Sequence, residues 1–392
     1  MFKPKMFLAA ALAAAMTLGT VSSASAAAKP FKDVYANTSF RLLKNTAKSR
    51  ENCLISPLSA MVAVNAAQIG ASGATRREME KAFGGLKTKT MTAQLSKLVR
   101  RCSSEGTFHS LVSVWSAKDT MSVRKAYSAA LRKAYGAEVH SVPFNAKTVK
   151  DINQWISRET EGRIPSIIDQ LNPDDLLVIV NATCFQENWI SEYSRSVKRK
   201  FTCADGRVRK VDMLEGTEDQ YFEVGGAKCF VKPYYQNWSF VAILPKKGTS
   251  VKSFLSKTSG AAILKAYRKR QTSNITVKTR LPKFEYEFSA SLKAPLKKLG
   301  IRSAFKIGSS STFRNMTSNE VHIDEILQKT YISLDEKGTT AAAATADIME
   351  ADGVFLDSPK KIKKVYLNRP FLYEIVETST GLPIFIGIVN QL

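Results

Sequence analysis

Eleven residues, Glu336-Lys-Gly-Thr-Thr-Ala-Ala-Ala-Ala-Thr-Ala346, constrain the fold of this chain more than any other segment. They follow Tyr331–Leu334, a short β-branched and aromatic run that reads as a strand. Four consecutive alanines favour a helix. Gly338 and the threonine pair interrupt one, and no amphipathic stripe continues it. The stretch from Lys337 to Lys364 is long for a connection inside a compact domain, and loops of that length are usually functional. Its first half carries only small side chains. Such a segment is able to slide between two existing strands, where successive side chains point to opposite faces.

The rest of the chain supplies strands to receive it. Leu176–Phe185 is a continuous apolar run, the pattern of a strand buried on both faces. Helical periodicity dominates earlier. Phe40, Leu43 and Ala47 share one face, as do Met61, Val64 and Ala67. Thr75 and Glu78 read as a capping box ahead of Met79 and Phe83. Residues 107–117 alternate as a strand, and 123–135 and 148–160 as helices. Beyond Lys200 the pattern turns to strands at Phe240–Leu244, Ile275–Leu281, Phe371–Val376 and Ile384–Val389. One helix is predicted among them, Ser289–Leu299, ending at Gly300. Helices first and strands later, without strict βαβ alternation, make an α+β fold. No repeat or Pro/Gly/Ser linker divides residues 27–392, so they are read as one domain.

Residues 1–26 read as a secretory signal peptide. Lys3 and Lys5 precede an apolar run from Met6 to Val21 and a small-x-small cleavage site at Ala24-Ser25-Ala26, with residue 28 as the alternative cut. The mature chain is therefore expected to be extracellular, or periplasmic in a Gram-negative cell, with no membrane span. Cys53, Cys102, Cys184, Cys203 and Cys229 are scattered without metal-ligand spacing and read as small buried residues. Among the three histidines, His109, His140 and His322, none accompanies a nucleophile elbow, and no P-loop, HExxH or GxGxxG occurs. The chain is read as a non-enzyme without cofactor or metal. Its 392 residues are 44% hydrophobic, which excludes a disordered tail or a disulfide miniprotein. A net charge of +24 favours acidic partners.

Glu336–Thr345 resembles the hinge of the serpins, and other motifs follow that family's order. Asn52, Ser56-Pro57-Leu58-Ser59 and Gly70 are similar to its helix B region. Asn153, Trp155, Thr160, Gly162 and Ile164 fit a second pattern, and Asn181-Ala182, Phe185 and Trp189 the end of strand 3 of the central sheet. Pro233-Tyr234, Leu244-Pro245, Leu281–Phe284, Leu299-Gly300-Ile301, Pro370-Phe371, Thr380-Gly381 and Phe385–Gly387 complete the series. The resemblance covers residues 30–392. The chain departs from the family at Gln328, where a His is usual, at Glu187, where Gly is usual, at Asn390, a usual Pro position, and in a longer reactive loop.

The resemblance implies helices packed around a large central β-sheet plus two smaller sheets, with an exposed reactive centre loop at about 336–364. It implies a monomeric suicide inhibitor that traps a serine or cysteine protease covalently. The hinge would be Glu336, Gly338, Thr339, Thr340, Ala341, Ala342, Ala343, Ala344 and Thr345, and the shutter and breach Ser56, Ser59, Asn181, Trp189 and Gln328. The family's usual register, counted from Glu336, puts the reactive bond at Asp352–Gly353, which suits an Asp-directed protease. Ala351 and Val354 (elastase-like targets) and Phe355 and Leu356 (chymotrypsin-like targets) are the alternatives. If Thr339, Ala341, Ala343 and Thr345 face inward after insertion, so does Asp347, an unpaired carboxylate. A second reading is a non-inhibitory carrier or a protein binding glycosaminoglycan or another polyanion. Its candidate residues are Lys97, Arg100 and Arg101 on one helix and the run Lys265, Arg268, Lys269 and Arg270, with Lys360, Lys361, Lys363 and Lys364 beyond the loop.

Overall fold

The computed structural model describes residues 30–104, 107–172, 174–306, 313–339 and 361–392. The leader, hinge residues Thr340–Thr345, Asp347, the reactive bond with its alternatives, and Lys360 lie outside the described residues.

The chain runs through α1 (Phe31–Thr46), β1 (Cys53–Ile55), α2 (Pro57–Gly70), α3 (Gly73–Ala82), α4 (Thr88–Ser103), β2 (Phe108–Ala117), α5 (Lys125–Tyr135), β3 (Glu138–Val142), α6 (Ala146–Glu159), β4 (Leu177–Phe185) and β5 (Glu187–Asn188). Then come β6 (Ser196–Thr202), β7 (Val208–Glu218), β8 (Gln220–Val224), β9 (Ala227–Pro233), β10 (Trp238–Leu244), α7 (Val251–Lys257), α8 (Gly260–Arg268), β11 (Ile275–Pro282), β12 (Phe284–Ser291) and α9 (Lys293–Leu299). The last strands are β13 (Glu325–Leu334), β14 (Gly338–Thr339), β15 (Lys361–Tyr366), β16 (Phe371–Glu377) and β17 (Leu382–Val389).

Among the described residues these strands form one sheet of seven, in the order β3-β2-β4-β13-β14-β5 with β12 beside β13, and two smaller sheets of six and four. One large sheet and two smaller ones is the architecture the sequence led us to expect. Strand β4 is buried along its whole length. Its period of two divides the core: Val178, Val180, Ala182 and Cys184 pack with Ile152, Trp155 and Ile156 of α6. Leu177, Ile179 and Phe185 join the main core on the opposite side. Helix α2 is enclosed, with nearly every residue buried and most of them apolar. Ser56 caps it, accepting the Ser59 N–H at 3.3 Å, and Pro57 starts the first turn, where a missing N–H does no harm.

Two expectations fail for the same reason, competition from distant chain. The capping box does not form, because α3 begins earlier at Gly73. Glu78 instead accepts the N–H groups of Arg302 and Ser303, each at 2.8 Å, more than two hundred residues away. The helix predicted over Ser289–Leu299 starts only at Lys293, since Ser289–Ser291 extend β12 against Leu327–Lys329 of β13. Gly300 does adopt the left-handed conformation at its end, with φ of 103°.

Candidate functional site

Of the residues expected in the hinge, Glu336, Gly338 and Thr339 are described; Gly338 and Thr339 lie between β13 and β5, above the β4–β13 seam that holds the expected shutter residues Asn181 and Gln328. In its middle the two strands run parallel and pair from Glu325↔Val178 to Thr330↔Thr183. Asn181 and Gln328 are directly opposite. Both are tied to the first turn of α2. The Asn181 amide donates to the Ser59 carbonyl at 2.7 Å, and its oxygen accepts the Ser59 hydroxyl. Gln328 accepts the Ser56 N–H at 3.1 Å and donates to the Ser56 carbonyl at 3.0 Å. Thr330 adds a bond to the Leu54 carbonyl at 2.9 Å. All of these side chains are buried. The middle of the seam is thus closed by neutral hydrogen bonds. At position 328 a carboxamide makes a two-point bond and brings no titrating proton, unlike the imidazole usual there.

At the top the seam is already open. After Leu334 the chain turns, with the Asp335 carboxylate accepting the N–H groups of Lys337 (2.8 Å) and Gly338 (3.2 Å). It then enters between β13 and β5 as β14, antiparallel to both: Leu334↔Thr339, Gly338↔Asn188 and Thr339↔Glu187. A Cβ on Gly338 would lie 2.3 Å from the Glu187 carbonyl oxygen, so only glycine fits there. Thr339 is 1% exposed, and its hydroxyl lies 2.5 Å from that of Tyr234. The usual-Gly position Glu187 therefore serves through its backbone, as the pairing partner of Thr339.

Aromatic rings and one ion pair support this entry point. Trp189 stacks on Tyr234 with ring centroids 4.1 Å apart. Its indole N–H donates to the Asp335 carbonyl at 3.1 Å and its backbone N–H to the Lys337 carbonyl at 2.8 Å. Lys232 lies 4.1 Å from the Tyr193 ring centroid and pairs with Glu218 at 3.2 Å. That pair is buried, with side chains 4% and 7% exposed. Burial pushes the Glu218 carboxyl above its ordinary range despite Lys232 and the Tyr193 hydroxyl. Lys283 pairs with Glu336 at 2.8 Å, but both are partly exposed, so that contact adds little. Lys232, Glu218 and Tyr193 escaped the sequence reading. The available signal was a lysine inside the apolar run of β9.

The candidate polyanion residues fall on two helices flanking one turn. Lys97, Arg100 and Arg101 are exposed on α4, and Lys265 and Arg268 on α8, with Lys269 and Arg270 just after it. Arg101 donates to the Ser379 hydroxyl at 2.5 Å and lies 3.8 Å from Glu377; Arg268 donates to the Thr380 carbonyl at 2.9 Å. Arg270 is turned to Gln220 at 2.6 Å. Lys361, Lys363 and Lys364 lie on β15, where Lys363 reaches Glu223 at 3.5 Å.

Other chemistry-bearing residues have structural surroundings. The five cysteines are buried free thiols, and burial pushes Cys53 up to about 12 and Cys184 to about 11. His140 stacks on Trp115 and His322 pairs with Asp324 at 2.9 Å. Among the described residues there is no His/Cys/Asp/Glu cluster for a metal, and no helix long and apolar enough to cross a membrane.

Comparison with known proteins agrees with this geometry. Residues 33–392 match the family model described as serpin (serine protease inhibitor). A serpin-like protein of Thermococcus kodakarensis is 31% identical over 372 residues, covering 92% of this chain and 85% of its own. Leukocyte elastase inhibitor A of Mus musculus is 26% identical, covering 90% and 98%. The native state of the thermophilic serpin tengpin superposes with a TM-score of 0.85 at 33% identity, covering 92% of this chain and 94% of that one; its latent state gives 0.79.

Proposed function

Because the chain belongs to the serpin family, we propose that it is a secreted suicide inhibitor of proteases, cleaved in its reactive loop near Asp352–Gly353. The observation that carries this reading is β14. Gly338 and Thr339 already lie as an antiparallel strand between β5 and β13, where an inserting loop would begin. Below them β4 and β13 make a parallel ladder. A strand that continued downward from Thr339 would replace one parallel ladder by two antiparallel ones, which pair slightly better per residue. From Thr339 to Asp352, at about 3.3 Å per residue, such a strand spans roughly 46 Å. An acyl-enzyme on its end is carried that far before deacylation. To admit it at the level of Asn181 and Gln328, β4 and β13 must part by about one strand spacing of 4.8 Å. The ties from both strands to the first turn of α2 resist that movement. The native state is accordingly held by a barrier rather than by equilibrium.

The experiment is incubation with a panel of Asp-, elastase- and chymotrypsin-type proteases. The reading expects an SDS-resistant complex with at least one protease, and a released C-terminal peptide beginning at Gly353. Cleavage without any complex would refute the inhibitor reading. A peptide beginning at Phe355, Leu356 or Asp357 would move the bond to Val354, Phe355 or Leu356, and one beginning at Asp352 to Ala351.

A second reading has its own support: basic groups of α4 and α8 flank the Glu377–Gly381 turn from both sides. A polyanion laid across this turn would meet Lys97, Arg100 and Lys265. Retention on a heparin column that falls steeply with salt supports it, and elution at low salt opposes it.

A further inference from the structure

A cavity of about 990 Å³ lies away from the seam. Its walls are the C-terminal end of α1, the start of α7, the β6–β7 turn, the chain entering β16 and the end of β17. That is the upper end of the size range of small-ligand sites. Lys44, Lys48, Lys247, Lys252, Lys298 and Arg369 line it, and no Asp or Glu does. Lys48 is paired with Glu51 at 3.0 Å, and Arg369 donates to the Pro245 carbonyl at 2.7 Å. Among the described residues, the other four lysines have no carboxylate partner. Four unpaired ammonium groups around one concavity repel one another, and low-dielectric walls concentrate their field. An anion in the cavity relieves that repulsion.

The floor decides what kind of anion. Ala47, Val251, Leu255 and Ile388 present apolar surface below the cationic rim, and Val251, Leu255 and Ile388 belong to the buried core. A bare inorganic anion would leave this surface in contact with water. Asn390, the departure from a usual proline, stands at the edge. Its N–H donates to the Asn52 side chain at 2.8 Å, a bond that proline cannot make, and its amide donates to the Glu51 carbonyl at 2.7 Å. The rim is fixed there by hydrogen bonds.

We propose that this cavity binds a small amphipathic anion, its apolar body on the floor and its carboxylate or sulfonate head among Lys44, Lys247, Lys252 and Lys298. The proposal is independent of the inhibitor reading. Occupancy bridges α1, α7 and β17, so it stabilises the native state by mass action.

The test is titration of the intact protein with 8-anilinonaphthalene-1-sulfonate, followed by competition. The expected result is one saturable site, displaced by laurate below its micellar concentration. Neither dodecyltrimethylammonium nor inorganic phosphate should displace it. Lys247→Glu with Lys252→Glu should weaken binding roughly tenfold or more, about 1.4 kcal/mol or above, while Lys97→Glu with Lys265→Glu on the other basic surface should not. Both lysines are exposed, so the variant should keep its thermal midpoint. Unchanged affinity in the double variant overturns the proposal. Equal competition by the cationic detergent overturns the role of charge, and equal competition by phosphate overturns the role of the floor.

Discussion

The top and the middle of the described β4–β13 seam are held by different physics. The top is open, filled by Gly338 and Thr339, and braced by the Trp189–Tyr234 stack over a buried Lys232–Glu218 pair. The middle is closed, with Asn181 and Gln328 opposite each other and each tied to α2 by uncharged hydrogen bonds. Removing one partner of a buried ion pair orphans a charge and is severe. A broken neutral hydrogen bond costs less and is exchanged more easily. Under the proposed mechanism the top would act as a fixed entry for the loop, and the middle as the part that must give way.

The largest expected effect comes from blocking the entry. Thr339→Arg places a guanidinium where the native side chain is 1% exposed. Burying that charge costs several kcal/mol, so the variant should keep Gly338 and Thr339 from seating between β5 and β13 and leave the rest of the loop without a start for insertion. The loop should still be cut, but the ratio of trapped complex to released protease should fall roughly a hundredfold, as stopped-flow and gel quantification would record. Unchanged partitioning would mean that seating of Thr339 between β5 and β13 is not required for trapping.

Lys232→Met tests whether the top is a brace. It leaves Glu218 buried and unpaired and should destabilise the native state by about 3–5 kcal/mol. Lys232→Met combined with Glu218→Leu should recover most of that loss, measured by urea unfolding. A single variant as stable as the wild type would break the contrast between the top and the middle.

A smaller effect is expected in the middle. Asn181→Ala unties the Ser59 carbonyl and hydroxyl and should cost about 1–3 kcal/mol. Its more telling result is kinetic: inhibitory activity should decay faster on warming, because the seam opens more readily. A decay rate equal to that of wild type would place the barrier elsewhere.

A third region sharpens any pH comparison of the top and the middle. Glu374 on β16 is 3% exposed, and burial alone pushes its carboxyl from 4.5 up to about 8. Tyr35 of α1, Cys229 of β9 and Tyr267 of α8 face its charge. Below pH 4.5 the group is protonated both folded and unfolded and has no effect on the balance. From there to about 8 the unfolded chain releases the proton first, so native stability falls as pH rises and then levels off. Glu374→Gln should remove that slope in thermal scans from pH 5 to 8. An identical slope in the variant would assign it to other groups, Glu218 among them.

Much of this was legible in the sequence, and the exceptions follow a rule. The doubly buried β4 and the serine-capped start of α2 are written in local runs of residue type, so local reading finds them. Thr75 and Glu78 also looked local, yet Glu78 is satisfied by Arg302 and Ser303. Ser289–Ser291 looked helical until β13 claimed them. The Lys232–Glu218 pair joins separate strands, and neither residue signals the other. Features that depend on which distant segment wins a backbone or a charge were the ones that stayed hidden.

One measurement tests the central claim directly: scanning calorimetry of the intact protein against the same protein cut once in residues 347–359. If the severed hinge inserts below Thr339 and converts one parallel ladder into two antiparallel ones, the unfolding midpoint should rise by roughly 20 °C or more. A midpoint unchanged or lowered by the cut would contradict insertion, and with it the proposed inhibitory mechanism.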